Sequence, residues 1–274
     1  MEIQTVAGIS YAKPTVTLIQ DSPLLVGELA GRIAYDSFAN SEHEVIRNFS
    51  VDRVDELDAD SSELLNSLAW VHHHHSVLEH LSLSYLIQGT SRGVLQETVR
   101  HRIASYTVRS TRYTMSSILN AFVASQLAEQ PRTFFIDLLR SFDMFVTVDE
   151  LYQAIEIDGI YSKLYHQQNV LGTTEFINTA IAKSSLDFVT NIKDASTLFN
   201  TLEAGKKKRN VGDAFKHIIS DNVKVDMVVT MNLRSLKNYL TLRDSGAAFF
   251  QIRHLAQAIK DATPSKYIDL IIKA

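Results

Sequence analysis

The chain has 274 residues, of which 45% are hydrophobic and 21% charged; it carries a formal net charge of −4 and contains no cysteine. That length allows a substantial buried core, and the net acidity argues against a surface built as a whole for nucleic acid. Without a thiol there is no disulfide, no thiolate metal site and no cysteine nucleophile. The N-terminal stretch lacks a basic segment leading into a long apolar run, and no run reaches the ~20 apolar residues of a membrane span, so a cytoplasmic protein is expected.

Residues Pro14 to Gln20 alternate and are rich in β-branched side chains, which predicts a strand. Ser22-Pro23 reads as an N-cap and first-turn proline, opening a helix through Ser37. A second helix is predicted over Ser61–Trp70. Leu81, Leu83 and Tyr85 then alternate with Ser82 and Ser84 as a half-buried strand. Ser91 is the expected cap of a helix carrying Gln96, Glu97, Arg100 and His101, with Glu97 and His101 four apart on one face. From Ser116 to Thr201 the pattern is mostly helical, with breaks expected near Pro131, Gly159 and Gly172. Gly205 to Asn210 is a basic loop, read as a solvated charge run. Val223–Met231 predicts a strand and Asn232–Arg243 a helix, with further helices interrupted at Pro264. No repeat, low-complexity tract or linker stands out, so one domain over 1–274 is expected.

Three segments carry chemistry. Arg100-His101-Arg102, then seven residues, then Ser110-Thr111-Arg112-Tyr113, places four arginines, with Arg109, in one short stretch. Guanidinium forks match phosphate bidentately, so this reads as a site for a phosphorylated ligand. The bland alternative is a surface segment whose arginines pair with nearby acids. Ser110 has neither a G-x-S-x-G elbow nor an evident base, so it is expected to anchor a ligand rather than attack one.

The second segment, His72 to His80, contains four consecutive histidines. Consecutive side chains converge on one ion only where the backbone is irregular, and the H-x-x-E-H pattern fails at Ser76, so no metal is expected. The third is Asn232 to Arg243, where helical spacing puts Asn232, Leu236 and Tyr239 on one face and Asn238 and Leu242 on another. A G-x-G-x-x-G following a strand is absent, so nothing here indicates a Rossmann dinucleotide site.

The RHR…STRY stretch, the H-x-x-x-x-E-H run over His74–His80 and the N-x-R-S-L-x-N-Y-L-x-L-R helix occur in the order found in flavin-dependent thymidylate synthases, and the chain resembles that family over most of its length. The resemblance implies an α/β (α+β) fold, a mixed β-sheet core flanked by helices, in a homotetramer with sites shared between subunits. It implies methylation of dUMP to dTMP, with methylenetetrahydrofolate as carbon donor, FAD as cofactor and NADPH as its reductant. Partners are therefore small molecules, without nucleic acid or membrane. It assigns Ser76, Arg100, His101, Arg102, Asn232, Arg234 and Asn238 to FAD. Glu97, Arg100, Arg109, Ser110, Arg112, Lys216 and Arg243 go to dUMP. Arg243 is the candidate catalytic residue, a fixed cation favouring a pyrimidine deprotonated at N3.

This chain departs from the family pattern at several places. Thr107 and Val108 stand where Asn and Glu are usual, Glu97 where Gln is common, Ala247 at a common His position, and Phe249-Phe250 in place of Gln-Trp. Lys216 stands for an arginine and loses the bidentate fork. The alternatives are an FAD-binding homologue that has lost methyl transfer, a non-enzymatic nucleic-acid-binding protein using the arginine cluster, and a metal-dependent hydrolase built on the histidines.

Overall fold

The computed structural model describes residues 2–111, 116–170 and 216–273, together with residues 178, 181, 182 and 185. The basic loop 205–210, Gly172 and Arg112 lie outside the described residues. The chain divides into two compact units, one of residues 1–12, 91–93 and 109–225, the other of residues 13–90, 94–108 and 226–274.

The second unit is built on a four-stranded sheet in the order β3-β4-β6-β5: β3 Thr15–Asp21, β4 Ser82–Ser91, β5 Ala104–Val108 and β6 Lys224–Asn232. The β3–β4 and β5–β6 pairs are antiparallel, with Ala104 opposite Met231 and Val108 opposite Met227. Helices α1 Leu25–Ala34, α2 Glu44–Arg47, α3 Glu63–Trp70 and α4 Arg92–Thr98 follow in sequence. Leu65, Leu68, Leu81, Leu83, Tyr85 and Ile87 belong to one buried hydrophobic cluster. The C-terminal helices Leu233–Arg243, Phe250–Ala262 and Ser265–Ile271 supply Leu236, Tyr239, Ile252, Leu255, Ile259 and Tyr267 to the same cluster. This is the mixed α+β class expected.

Ser22 is not a helix cap. Helix α1 begins at Leu25, and Ser22 instead ties β3 to β4: its hydroxyl donates to the Ser82 carbonyl at 3.3 Å and accepts from the Ser82 amide at 3.0 Å. The first-turn amide of Leu25 donates to the Leu57 carbonyl at 2.9 Å, so a tertiary partner replaces the missing cap. In α3, by contrast, the Ser62 hydroxyl accepts from the Leu65 amide at 3.2 Å, an ordinary N-cap. Ser84 is buried rather than half-exposed, and its hydroxyl meets that of Thr230 at 2.8 Å across to β6.

The other unit holds a hairpin, β1 Ile3–Val6 with β2 Ile9–Ala12. Ala7 and Gly8 turn it with φ of +52° and +81°, the backbone of a two-residue turn that suits strand twist. Helices α5 Ser116–Gln126, α6 Pro131–Arg140 and α7 Glu150–Val170 pack Phe122, Phe135, Leu139, Ile157, Ile160 and Leu164 together. Pro131 does start a helix, as N1 placement favours. Gly159 does not end one: α7 runs through it, because a lone glycine costs a helix only about 1 kcal/mol and apolar packing on Ile157 and Ile160 outweighs it. Among the described residues, no helix is long and apolar enough to cross a membrane.

Candidate active site

Helix α8, Leu233–Arg243, follows β6 directly, and α9 Phe250–Ala262 and α10 Ser265–Ile271 complete the chain. Asn232 ends the strand with extended backbone (φ −78°, ψ 164°), and its Oδ1 accepts from the Ser235 amide at 2.8 Å. It therefore caps α8 rather than sharing a helix face with Leu236 and Tyr239, which are buried against the core. Asn238 and Leu242 do share a face, and both line an open cavity of about 910 Å³. Glu79, Arg100, His101, Arg102, Ile103, Asn232, Arg234, Ser235 and Arg243 line the rest.

The arginine motif reaches this cavity because α4 stops early. The helix expected to carry Arg100 and His101 ends at Thr98. The His101 amide donates to the Thr98 carbonyl at 3.1 Å, turning the chain. The Tyr106 hydroxyl then donates to the carbonyls of Thr98 at 3.0 Å and His101 at 2.8 Å. That hydroxyl satisfies carbonyls left without helical partners, and the chain enters β5 at Ala104. Arg100, His101 and Arg102 thus sit on a turn rather than a helix. Strand β5 was not legible as such, although Ala104, Tyr106 and Val108 alternate inward from it. Val108, at the position where a Glu is usual, packs against the hydrophobic core.

Arg243, half-buried, lines the cavity and is held from several sides. Its Nε donates to His101 Nε2 at 3.0 Å, Nη1 to Glu97 Oε2 at 2.8 Å, and Nη2 to the Glu97 carbonyl at 3.3 Å. Because His101 accepts at Nε2, its ring is neutral with the proton on Nδ1. Burial holds its pKa below the ordinary imidazole value, the neighbouring Arg243 and Arg100 push it the same way, and Glu97 opposes them. The ring lies edge-on to Tyr239, with centroids 4.8 Å apart. Arg100 Nη1 donates to Glu97 Oε1 at 3.3 Å, so one carboxylate bridges two arginines. At the other end of the cavity, Arg234 pairs with Glu79.

The histidine run does bend irregularly, with His73 at φ +53°, and His72 to His74 are exposed. The His74 ring is 2.8 Å from the Tyr35 hydroxyl through Nδ1. Ser76 is exposed on the 3-10 turn His75–His80 and does not line the cavity, whereas Glu79 from that turn does. Lys237 lies over Trp70 at 4.5 Å from the ring centroid and 3.4 Å from His75 Nε2, and burial lowers its pKa. Arg109, Ser110 and Lys216 are exposed and belong to the other compact unit. Tyr106, which shapes the turn, carried no motif signal, and its inward register became readable only with the strand in place; Tyr239, which backs His101, lies in the Asn232–Arg243 motif on the face of Leu236.

The cavity therefore gathers four arginines, Arg100, Arg102, Arg234 and Arg243, with the amides Asn232 and Asn238. Cations and amide donors at that density suit a large, phosphate-bearing ligand with hydrogen-bonding rings.

Comparison with known proteins agrees with this chemistry. A flavin-dependent thymidylate synthase of Wolinella succinogenes is 29% identical over 253 residues, covering 92% of this chain and 95% of the relative. That of Helicobacter pylori is 28% identical over 246 residues, covering 90% and 91%. A crystal structure of thymidylate synthase X from Helicobacter pylori with FAD and dUMP is 26% identical, covers 94% of this chain and 97% of that one, and superposes with a TM-score of 0.58. The family model described as thymidylate synthase complementing protein matches residues 17–265, which include every cavity-lining residue just described, and the chain belongs to that family.

Proposed function

We propose that this protein is a flavin-dependent thymidylate synthase that methylates dUMP to dTMP with methylenetetrahydrofolate as carbon donor and NADPH as reductant. The observation that carries this reading is the arginine fork of Arg243, which a cysteine-free chain presents in the cavity lining and holds through Glu97 and His101. Uracil C5 is a weak nucleophile until electron density enters the ring. A thiolate could supply it by adding at C6, but this chain has none. A fixed cation supplies it differently, by stabilising the pyrimidine deprotonated at N3.

Arg243 has five N–H donors, and three are engaged by Glu97 and His101. Two remain on Nη1 and Nη2 for the pyrimidine. His101, kept neutral by burial and by the two nearby arginines, holds Arg243 without competing for its charge. Arg100, Arg102, Arg234, Asn232 and Asn238 are the residues whose chemistry fits FAD, as cations able to pair with phosphate and amides able to hydrogen-bond a ring. Bound FAD, once reduced, would supply the hydride. The resemblance alone carries Ser76 as a flavin contact and Arg109, Ser110, Arg112 and Lys216 as dUMP contacts. It likewise carries the homotetramer, while the cytoplasmic location and one domain over residues 1–274 are expectations read from composition and from the lack of a visible linker.

Tritium release from C5-labelled dUMP tests the reading, with FAD, NADPH and methylenetetrahydrofolate each omitted in turn. Release that requires the full mixture supports it. Folded, FAD-loaded protein that releases no tritium would favour the second reading, a flavoprotein that has lost methyl transfer, to which the inward Val108 and the Ala247 position lend weight.

A further inference from the structure

Outside the cavity lining, three metal-ligating side chains meet between α1 and the start of α3. Glu28 on α1 is fully buried, while Glu42 and the half-buried His43 lie on the segment just before α2. His43 Nε2 is 3.3 Å from Glu42 Oε1 and 3.8 Å from Glu28 Oε2, and one donor atom from each residue falls within 4.8 Å of the others. Yet this nitrogen, buried as it is, makes no hydrogen bond, so neither carboxylate oxygen is in line with it. A buried polar atom left in that state calls for a partner.

The spacing suits a tetrahedral ion. Zinc bonds of about 2.0–2.2 Å to nitrogen and oxygen hold neighbouring ligands about 3.4 Å apart, and the two measured separations fall on either side of that edge. The carboxylates are also held in place from outside. Glu28 Oε2 accepts from Ser62 at 2.5 Å, and its Oε1 accepts from Ser41 at 2.6 Å and Arg32 at 3.1 Å. Glu42 Oε1 accepts from the Glu63 amide at 2.8 Å. Arg47 Nη1 donates to the carbonyls of Ser41 at 2.7 Å and Glu42 at 2.9 Å, which fixes the segment carrying two of the ligands. Hydrogen bonds of this outer kind orient ligands and raise metal affinity.

We propose that Glu28, Glu42 and His43 form a zinc site, with Oε2, Oε1 and Nε2 as ligands and water completing the tetrahedron. An imidazole with two carboxylates suits zinc, whereas magnesium and calcium call for six or more oxygens. The ion is structural. It joins α1 to the segment before α2 and, through Ser62 and Glu63, to the first turn of α3. The rival occupant of the same space is a proton: His43 charged and paired with both carboxylates.

The test titrates chelator-stripped, full-length protein with zinc sulfate by calorimetry and follows its thermal midpoint. His72, His73 and His74 are exposed and offer zinc a competing surface, so the background is His72→Ser, His73→Gly, His74→Ser. One equivalent of zinc is expected there, with a midpoint that rises as the ion is added. Ser41→Ala, which removes only an orienting hydrogen bond, should weaken binding by roughly 10-fold. His43→Ala and Glu42→Gln leave the buried Glu28 network in place and should each weaken it by more than about 100-fold. Cobalt in place of zinc should give the strong visible bands of a tetrahedral site, and His43→Ala should abolish them.

No zinc equivalent in the background protein overturns the proposal and leaves the protonated His43 pair. An equivalent that survives both His43→Ala and Glu42→Gln overturns it by placing the ion elsewhere. Displacement of the ion by excess magnesium overturns its assignment to zinc.

Discussion

The side chain of Asn232 accepts from the main-chain amide of Ser235 at 2.8 Å, so a residue lining the cavity is also the N-cap of the helix that ends in Arg243. One residue thus serves folding and ligand binding, and substitutions can separate the two. Asn232→Ala should cost about 1 kcal/mol of stability through the lost cap. Asn232→Asp should retain stability, since a carboxylate caps as well and complements the helix dipole. The same Asp should weaken flavin binding by setting a negative charge in a cavity suited to phosphate. Thermal melts of ligand-free protein and flavin titrations measure the two effects. Unaltered flavin affinity in the Asp variant would confine Asn232 to capping.

On the proposed reading, Arg243 serves the pyrimidine while Arg100, Arg102 and Arg234 serve the flavin, so Arg243→Ala should abolish turnover while flavin remains bound. Arg243→Lys is expected to rescue little. Lysine restores the charge but cannot reach Glu97 Oε2, the Glu97 carbonyl and His101 Nε2 from one rigid plane. Near-normal tritium release from either variant would remove Arg243 from the catalytic role.

His101 makes stability depend on pH with a definite sign. Its folded-state pKa lies below the ordinary value of 6.5, chiefly through burial and then through Arg243. The unfolded chain therefore binds this proton more readily, and stability rises with pH across the window just below 6.5. His101→Gln keeps an acceptor for Arg243 and should flatten that part of the stability–pH curve. Chemical denaturation at a series of pH values from about 5 to 7.5 would show it; parallel curves for the two proteins would dismiss the effect.

Glu28 is the most completely enclosed charge on α1. Its oxygens accept from Ser41 at 2.6 Å, Ser62 at 2.5 Å and Arg32 at 3.1 Å, pinning the segment between α1 and α3. Burial pushes its pKa up, but these three donors together outweigh burial and hold it below the usual value. Its contribution is therefore present above the ordinary carboxylate range and fades as pH falls through the lowered value. Glu28→Ala should cost about 3–5 kcal/mol, because it strands Arg32 and two hydroxyls in a dry interior. A loss under about 1 kcal/mol in urea unfolding would show that water enters to replace the carboxylate.

The legibility of the site divides along physical lines. Residues whose role depends on chemical type and short spacing could be read directly: Arg100, His101 and Arg102 as a cationic cluster, and Asn238 with Leu242 as one helical face. Residues whose role depends on where the chain reverses could not. Ser22 has the composition of a cap, yet its hydroxyl is claimed by Ser82 on the neighbouring strand. The α4 helix has every local reason to continue through His101, yet it ends because Tyr106, from the following strand, takes the carbonyls of Thr98 and His101. Gly159 looks like a break and is overridden by packing.

The sequence by itself determined the mixed α and β class, the absence of thiol chemistry, the strand-to-helix passage from β6 into α8 and the arginine-rich character of the site. Those properties follow from residue type and local periodicity, which act over a few neighbours. Only the tertiary structure decided that Glu97, His101 and Arg243, separated by as many as 146 positions, share one set of hydrogen bonds. Three donors on a planar guanidinium find their acceptors only after β5 pairs with β6 and α8 folds back against the turn, and no spacing along the chain records that meeting.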